Sequence, residues 1–436
     1  MKLSKRQIFL IGGIGLGVLV FILVIFFNLR TNDPANVKVT LRVWGFEDPK
    51  MLSGIFGVYK TVSPNVTVEY TRVSESDYDK KLLEALALQK GPDVFVVDNN
   101  SLLKWKDFLA PVDPKVFNLE KIKSLFPQVV EQDFVSGGRI YALPYSIDTL
   151  ALVYNRDFFD EAGIIDPPKT WDNFQIYVQA LRRLNEFGAV VRAGAAMGGV
   201  SESIPQAADI LNWLMMQNGA IEYENESLGI KTDFSSRGDA YKALAFYAQF
   251  SDPKSQYYSW TGNQGTSLKT FADRKTAMIL VYKKDIETIK KANAFLDFGV
   301  GQAPQITGAE KVVSYSDYVG YAVSKQSRNQ VWAWDFIVNT ATNISGQKAY
   351  LNTAKNPPAL RALIGEVVDS VELGVFARQA LTARSWPQGD EARVRAILEE
   401  AVYNSLYGNK DYSATVRKIY DDVSKLLGTF KVKFNG

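Results

Sequence analysis

The sequence predicts an α/β protein with two doubly wound lobes and one N-terminal transmembrane helix. Strand and helix signals alternate from Val37 to Val97, a mainly helical segment follows, and strand signals return near Thr276. An uncharged run of 20 residues, Ile8 to Phe27, precedes this pattern. A length of 436 residues is compatible with one to three domains.

The N-terminal run is long enough to cross a membrane as a helix. Its 20 residues, at about 1.5 Å each, span the ~30 Å hydrocarbon core. Lys2, Lys5 and Arg6 precede it, so the positive-inside rule predicts a cytoplasmic tip (1–7), a single-pass anchor in the cell membrane (8–27), a linker (28–36) and an extracellular or periplasmic remainder. A cleaved signal peptide is the alternative, but it would have a shorter apolar core and a small-residue cleavage site. The absence of cysteine excludes a lipid on an N-terminal cysteine.

The segment after the linker alternates between strand and helix signals. The predicted elements are strand Val37–Trp44, helix Pro49–Lys60, strand Val66–Val73, helix Asp77–Gln89 and strand Val94–Val97. This order predicts a parallel sheet, and ligands of such sheets lie beyond the carboxyl ends of the strands. We therefore expect a site near WGFED (44–48) and DNNS (98–101).

The rest of the chain leaves this pattern and later returns to it. LALVYN (150–155) is typical of a buried strand, and the helix after it stops at Gly163. Thr170 is placed to cap a helix from Trp171 to Phe187. Further predicted elements are helices Ser203–Gln217, Asp239–Phe250, Asn329–Thr340, Ser345–Leu351, Glu391–Ser405 and Tyr412–Leu427, and strands Thr276–Val281 and Asp317–Ser324.

The composition excludes several kinds of chemistry. Without cysteine or histidine, the chain cannot form a Cys or Ser-His nucleophile or a His/Cys zinc site. The net charge of +3 comes from interspersed acids and bases, which does not indicate nucleic-acid binding. Walker A, GxSxG and dinucleotide motifs are absent from the sequence. We expect no cofactor, no metal and no enzymatic activity, and a glycosidase using Glu47 and Asp98 is the remaining catalytic alternative.

Several residues suit a site for sugar rings, which combines apolar walls with convergent polar groups. Trp44 and Glu47 follow the first strand, Asp98 and Asn99 follow the third, and Trp260 lies in a loop rich in glycine and amides. Core packing is the alternative for the tryptophans, and helix capping is the alternative for Asp98 and Asn99.

An ordered set of segments resembles a known family. In chain order the segments are GPDVFVVDNNSLLKW, FLAPVD, ALPYSIDTLALVYNRDFFDEAGI, PPKTWDNF, DRKTAMILVY and YVGYAVSKQSRNQVWAWDFI with ISGQKAYLNTAKNPPAL after it. Together they resemble the maltose-binding-protein-like extracellular solute-binding proteins (family 1) of ABC importers. The resemblance implies a periplasmic-binding-protein-like fold whose hinged lobes clamp a solute, with a sugar or oligosaccharide favoured, and deliver it to ABC permease subunits.

The resemblance also implies a division of the chain. Lobe one is expected to comprise 37–145 and 300–343, and lobe two 146–299 and 344–436. Hinge crossings are expected at Tyr145–Leu150, Phe298–Gly301 and Asn343–Ser345. YSID (145–148) would then face a cleft, which makes a polar group before a buried strand tolerable.

Further binding residues follow from the resemblance, which places Tyr282 and Trp386 at the cleft. Tyr145 and Asp148 of the first crossing join them, and so do Asp317 and Tyr318 at the start of a strand. The SYSDY text there departs from the family's glycine-rich pattern, which leaves a peptide, polyol or glycerol-phosphate ligand open. The alternatives are aromatic packing and local turn hydrogen bonds. A sensor or scaffold using the same clamp is the alternative function.

Overall fold

The computed structural model describes residues 38–224, 227–230, 233, 235–408, 410–430 and 434–435. Its strands are β1 Val39–Gly45, β2 Val66–Arg72, β3 Val94–Asp98, β4 Leu109–Ala110, β5 Val135–Ser136, β6 Arg139–Ile140, β7 Ala142–Pro144, β8 Asp148–Thr149, β9 Ala151–Asn155, β10 Arg183–Leu184, β11 Val190–Arg192, β12 Ile221–Glu224, β13 Ser227–Ile230, β14 Met278–Val281, β15 Phe298–Gly301, β16 Ser314–Asp317, β17 Val319–Ser324, β18 Ala383–Arg384 and β19 Phe434–Asn435. Its α-helices are α1 Pro49–Val62, α2 Glu75–Ala87, α3 Leu102–Trp105, α4 Leu119–Leu125, α5 Gln128–Phe134, α6 Arg156–Glu161, α7 Trp171–Leu181, α8 Ala207–Gln217, α9 Asp239–Ala248, α10 Ser267–Ala272, α11 Lys283–Ala292, α12 Gln330–Thr342, α13 Ile344–Ala354, α14 Arg361–Val367, α15 Gly374–Ala380, α16 Glu391–Tyr407 and α17 Tyr412–Gly428.

The first sheet follows the predicted strand–helix alternation. Its strand order is β2-β1-β3-β17-β4, with β7 also paired to β17. β1 runs parallel to β2 and β3, whereas β17 is antiparallel to β3. Val39, Leu41 and Val43 alternate with exposed residues, while β3 is buried on both faces. This burial pattern matches a central parallel strand flanked by helices, so the carboxyl ends of β1 and β3 open on one edge.

The second sheet is antiparallel, unlike the doubly wound lobe that was predicted. β9 lies between β14 and β15 and is antiparallel to both. Long helical segments separate these strands along the chain, and both later strands return against the direction of β9. The helix predicted to reach Phe187 ends at Leu181, because the chain turns there into the β10–β11 hairpin, where the Asn185 side chain accepts bonds from Phe187 N and Ala189 N.

Two hydrophobic clusters define the lobes. Lobe one is built on buried residues of 39–147 and 318–364, whereas lobe two is built on those of 150–315 and 386–427. Helix α15 contributes Phe376 to lobe two and Ala377 to lobe one. These clusters differ from the predicted ranges, because Tyr315 packs in lobe two and Tyr350 packs in lobe one. Within the described residues the chain therefore crosses between the lobes three times, near 148, 316 and 384.

The three crossings form one small sheet, which we call the hinge sheet. Its order is β18-β16-β8, with β16 parallel to β18 and antiparallel to β8. The crossings expected at Phe298–Gly301 and Asn343–Ser345 differ from this arrangement. The former is strand β15 of the lobe-two sheet, and the latter joins helices α12 and α13 in lobe one.

In the described part of the chain, no helix has the length and apolar character needed to cross a bilayer. The predicted anchor Ile8–Phe27, with its flanking tip and linker, lies outside the described residues.

Candidate ligand-binding site

A cavity of about 420 Å³ lies between the lobes, a size within the range of small-molecule sites. Lobe one contributes side chains from the ends of β1 and β3 and the start of α2, lobe two contributes the starts of α8, α11 and α16, and the hinge sheet contributes one carboxylate. The lining residues are Phe46, Glu75, Tyr78, Asp79, Asp98, Ser101, Pro205, Gln206, Asp209, Tyr282, Lys284, Asp285, Asp317, Glu391, Ala392 and Arg395.

Phe46 and Tyr78 form an aromatic wall on the lobe-one side. Their rings meet edge to face, with centroids 5.5 Å apart. The Tyr78 hydroxyl accepts a hydrogen bond from Val96 N at 2.9 Å and donates one to Trp44 O at 3.2 Å. Two strands therefore fix the Tyr78 ring, which offers an apolar face of the kind that packs against sugar C–H groups.

Asp98 ends β3 and faces the cavity without a hydrogen-bond donor among the described residues. Burial raises the pKa of Asp98 to about 7, and the negative charges of Asp79, Asp317 and Glu75 add to the effect while Lys104 opposes it. An acceptor in this position is available to a ligand that donates hydrogen bonds.

The lobe-two side holds a network centred on Arg395. Its guanidinium lies 3.0 Å from Asp209 Oδ1 and 3.3 Å from Glu391 Oε1. The Tyr282 hydroxyl donates to Asp209 Oδ2 at 3.1 Å. Burial raises the pKa of Asp209 and of Glu391, and Arg395 opposes the shift in both. The network presents acceptors to the cavity while its members hold one another in place.

The start of α11 connects the cavity to the hinge sheet. Lys284 Nζ lies 2.7 Å from Asp317 Oδ2. Burial opposes ionisation of Asp317, but the charge and hydrogen bond of Lys284, together with the charge of Arg395, outweigh it and lower the pKa of this carboxyl. Asp148 accepts bonds from Lys283 N at 2.9 Å and Lys284 N at 3.1 Å, which satisfies free amides at the helix N-terminus. Burial still raises the pKa of Asp148 to about 7.

Gln206 forms part of the wall next to this helix. Its Nε2 donates to Asp285 Oδ2 at 2.9 Å, and the same carboxylate oxygen accepts from Tyr282 N at 3.0 Å. Gln206 is only 5% exposed, and its Oε1 has no hydrogen-bond partner among the described residues. A buried acceptor without a donor is unfavourable, so a ligand donor at this point would stabilise the site.

Three of the predicted site residues line the cavity: Asp98, Tyr282 and Asp317. They come from three different segments, and the strand-end rule or the family resemblance pointed to each. Asp148 lies beside them but is occupied by the α11 amides.

Glu47, Tyr145 and Trp44 lie in lobe one, away from the cavity lining. Glu47 accepts bonds from Tyr321 OH at 2.8 Å and Tyr350 OH at 2.5 Å. Tyr145 stacks on Tyr321 with centroids 4.1 Å apart. Trp44 packs against the lobe-one cluster. The prediction placed these three residues at the cleft, whereas the structure places them within lobe one. The reason is that the end of a strand borders the helices covering the sheet as well as the cleft.

Asn99 and Tyr318 surround a buried carboxylate of α5 and do not line the cavity. Asp133 Oδ2 accepts from Tyr318 OH at 2.6 Å and from Asn99 Nδ2 at 3.2 Å. Ser385 donates to the other oxygen from the hinge segment. Burial raises the pKa of Asp133 to about 7, against the effect of these hydrogen bonds. Both residues therefore support the lobe-one side of the hinge.

Trp260 and Trp386 belong to the lobe-two core. Trp260 is fully buried and its indole donates to Ser203 Oγ at 3.2 Å. The Trp386 indole donates to Asn212 Oδ1 at 2.9 Å. The expectation that these tryptophans line the cleft differs from their placement. Each indole N–H already has a partner, as is usual for buried tryptophan.

Sequence reasoning missed Arg395, Glu391 and Asp209 on the lobe-two side. Asp209 and Asn212 are buried polar residues three positions apart on the mainly apolar helix α8, and this spacing is a detectable signal because it places both on one face. Glu391 and Arg395 are four positions apart at the start of α16, a spacing common on solvated helices. No group of three or more Asp and Glu side chains able to hold a metal ion occurs in the described part of the chain.

Two α/β lobes, a hinge sheet of three crossings and an interlobe cavity define the class of clamp-like binding proteins. The chain belongs to the bacterial extracellular solute-binding protein family, whose model matches residues 59–368.

Individual comparisons agree with this assignment. A galactooligosaccharide-binding protein of Bacillus subtilis (strain 168) is 23% identical over 340 residues, covering 75% of this chain and 74% of the relative. A cyclo/maltodextrin-binding protein complexed with maltotetraose superposes with a TM-score of 0.71 at 18% identity, covering 89% of this chain and 97% of the other. An ABC substrate-binding protein from Listeria monocytogenes in complex with cycloalternan gives 0.71 at 17% identity, covering 90% and 99%. These likenesses establish the fold.

Proposed function

We propose that this protein captures a sugar or oligosaccharide in the interlobe cavity and delivers it to the permease of an ABC importer. The observation that carries the proposal is the cavity itself, which joins an aromatic wall, Phe46 and Tyr78, to carboxylates from both lobes. Sugars need apolar faces for their C–H groups and acceptors for their hydroxyls. The galactooligosaccharide-, maltotetraose- and cycloalternan-binding relatives support the same ligand class.

The catalytic alternative lacks its second carboxylate. A glycosidase built on Glu47 and Asp98 would require both groups to flank one sugar bond. Asp98 lines the cavity, whereas Glu47 is hydrogen-bonded to two tyrosines within lobe one. We therefore assign a binding role without catalysis. A sensor or scaffold would use the same clamp. Import is favoured because one of the similar structures is described as an ABC substrate-binding protein.

We further propose that the Ile8–Phe27 run anchors the protein with its lobes outside the cell. The support is the sequence: 20 uncharged residues follow three basic ones, and no cysteine offers another attachment. A linker of nine residues reaches about 30 Å at roughly 3.3–3.6 Å per residue. The lobes would stay near the membrane and near a permease. The full-length protein should remain in the membrane fraction after carbonate washing, and a shorter, freely soluble mature form would contradict the anchor.

A carbohydrate panel tests the ligand class directly. The full-length protein, purified in a mild detergent, should melt at a higher temperature with one or more oligosaccharides, because a ligand that binds only the folded state stabilises it. Small-angle scattering should then show a smaller radius of gyration with saturating sugar. Failure of every sugar to bind, together with binding of a peptide or a glycerol phosphate, would overturn the assignment.

A further inference from the structure

The cavity is lined by far more acidic than basic side chains. Seven carboxylates line it, against two basic side chains, Lys284 and Arg395. The whole chain has a formal net charge of +3, so the imbalance is local to the cleft. A cleft whose walls carry charge of one sign concentrates its electric field on a ligand that enters it.

Both cationic side chains of the lining are already engaged. Lys284 pairs with Asp317, and Arg395 is shared between Asp209 and Glu391. Outside the lining, Lys104 neutralises Asp79 at 2.5 Å. The cavity therefore has no cation to spare for an anionic ligand.

Asp98 remains without any such partner. No side chain or backbone group of the described residues donates a hydrogen bond to its carboxylate or pairs with it, and it faces the cavity from lobe one. Glu391 faces the cavity from lobe two, and the negative charge of Asp98 across the cleft adds to the effect of burial in raising the pKa of Glu391. Acidic side chains of the two lobes therefore face each other across the cavity.

Gln206 supplies an independent observation. This residue lines the cavity and is only 5% exposed. Its side-chain oxygen, Oε1, is buried and accepts no hydrogen bond from the described residues. The amide nitrogen is committed to Asp285, which leaves the oxygen as the atom of this side chain without a hydrogen-bond partner among the described residues. The cavity wall therefore contains an unpaired buried acceptor as well as an excess of acidic side chains.

A protonated amine suits both the excess of acidic side chains and the unpaired acceptor, since it carries one positive charge and three N–H donors. We infer that the solute is an amino sugar, whose ammonium group is held by Asp98 with Glu391 and Gln206 completing the site. The inference rests on the proposed sugar-binding function and specifies the substrate class. The sugar ring would pack on Phe46 and Tyr78, whose faces also favour a nearby cation.

Matched sugars test the charge separately from the ring. The probes are glucosamine, galactosamine and mannosamine with the corresponding neutral hexoses, and the β-1,4 disaccharide of glucosamine with its N-acetylated form and cellobiose. Calorimetry with the full-length protein at pH 7 should give an amine probe at least roughly tenfold tighter than its hydroxyl counterpart, the scale expected for a charge-assisted hydrogen bond. The N-acetylated form should lose the advantage, because acetylation removes the charge.

Two variants and one control assign the preference to these residues. Asp98→Asn and, from the other lobe, Glu391→Gln should each reduce the amine preference roughly tenfold while a neutral sugar loses much less. Glu84→Gln changes the net charge equally from an exposed position on α2 and should leave the preference unchanged. Melting temperatures without ligand show that each variant is folded.

Acidification is a further readout. Burial and the charges of Asp79, Asp317 and Glu75, opposed by Lys104, place the pKa of Asp98 at about 7. Glu391 faces Asp98, Asp317, Asp209 and Arg395, and burial raises its pKa in the same direction. Lowering the pH from 7 to 5.5 at constant ionic strength should weaken the amine probe more than its neutral counterpart.

The outcomes separate the two proposals. Tight binding of neutral sugars, with amine counterparts no tighter, would overturn the amino-sugar inference and leave sugar binding intact. An amine preference that survives in both Asp98→Asn and Glu391→Gln would overturn the assignment to this site. Failure of all sugars, charged or neutral, would overturn the proposed function and this inference with it.

Discussion

Replacing Asp133 with asparagine should change how the stability of the protein depends on pH. Asp133 is 6% exposed and accepts hydrogen bonds from Tyr318, Asn99 and Ser385. Burial raises its pKa to about 7, even though the three hydrogen bonds favour the charged form. An unfolded aspartate has a pKa of about 3.9, so the folded protein binds the proton more tightly than the unfolded chain does.

The sign of the effect follows from this difference. Between about pH 4 and pH 7 the folded state keeps the Asp133 proton and the unfolded state has lost it, so stability falls as the pH rises through this window. The slope is about 1.4 kcal/mol per pH unit for one group, which gives about 2 to 3 kcal/mol between pH 5 and pH 7. Asparagine has the same shape and no titration, so the variant should lack this part of the decline.

Urea unfolding of the full-length protein at pH 5, 6, 7 and 8 measures the slope. The stability of Asp133→Asn, expressed as its unfolding free energy minus that of the parent protein, should increase by about 2 to 3 kcal/mol from pH 5 to pH 7. Glu84→Gln, on the exposed surface of α2, should parallel the parent. Parallel curves for Asp133→Asn and the parent would refute the argument that this carboxyl is protonated in the folded protein.

Three further changes have definite expected outcomes. Trp260→Ala should lower the unfolding free energy, measured by urea titration, by about 3–5 kcal/mol, because this fully buried side chain belongs to the lobe-two core. Normal stability with impaired sugar affinity would instead place Trp260 at the ligand. Lys284→Met leaves Asp317 without its 2.7 Å partner, so its melting temperature should fall more at pH 8 than at pH 5, and equal falls would contradict the ion-pair account. Gly320→Ala places a Cβ 2.7 Å from a ring atom of Phe134 and should lower the unfolding free energy by about 1–3 kcal/mol. The control Gly57→Ala, whose Cβ would have no atom within 4 Å, should be neutral or slightly stabilising. Similar effects of the two substitutions would refute the packing argument.

The sequence predicted the lobe-one half of the site because its residues follow a simple rule. Strands β1 to β3 alternate with helices, so their carboxyl ends share one edge and Asp98 is placed there by chain order alone. Phe46 belongs to WGFED (44–48), the segment at the carboxyl end of β1 near which the sequence also predicted a site. Tyr78 was not selected, since one aromatic residue on a buried helix face is usually core. Its contact with the cavity depends on its position in the first turn of α2.

The lobe-two half depends on contacts that local patterns do not encode. Asp209 and Tyr282 are 73 residues apart along the chain, and Arg395 lies further along still, in the first turns of α16. Their partnership exists only after packing brings α8, α11 and α16 together. Trp260 and Trp386 show the converse, because a tryptophan in a polar loop has the sequence appearance of a ligand contact and the structure places both in the core.

The second crossing shows how strand signals obscure a hinge. The predicted strand Asp317–Ser324 joins the last residue of β16 to the whole of β17, whereas the structure interrupts it at Tyr318. β16 pairs with the other crossings, and β17 pairs with β3 and β7 in lobe one. The two strands follow each other with a single residue between them, so their different pairing partners are what separates the lobes here.

The same helix start serves the cavity and the hinge, which gives ligand binding a physical route to closure. Asp148 of β8 accepts the first amides of α11, and Asp317 of β16 pairs with the Lys284 side chain. Tyr282 and Asp285, from the same turn, line the cavity. A solute that contacts this turn therefore acts on a segment bonded to two of the three strands of the hinge sheet. Because Asp98 and Glu391 face the cavity from opposite lobes, a cationic solute bound by both would favour the approach of the lobes.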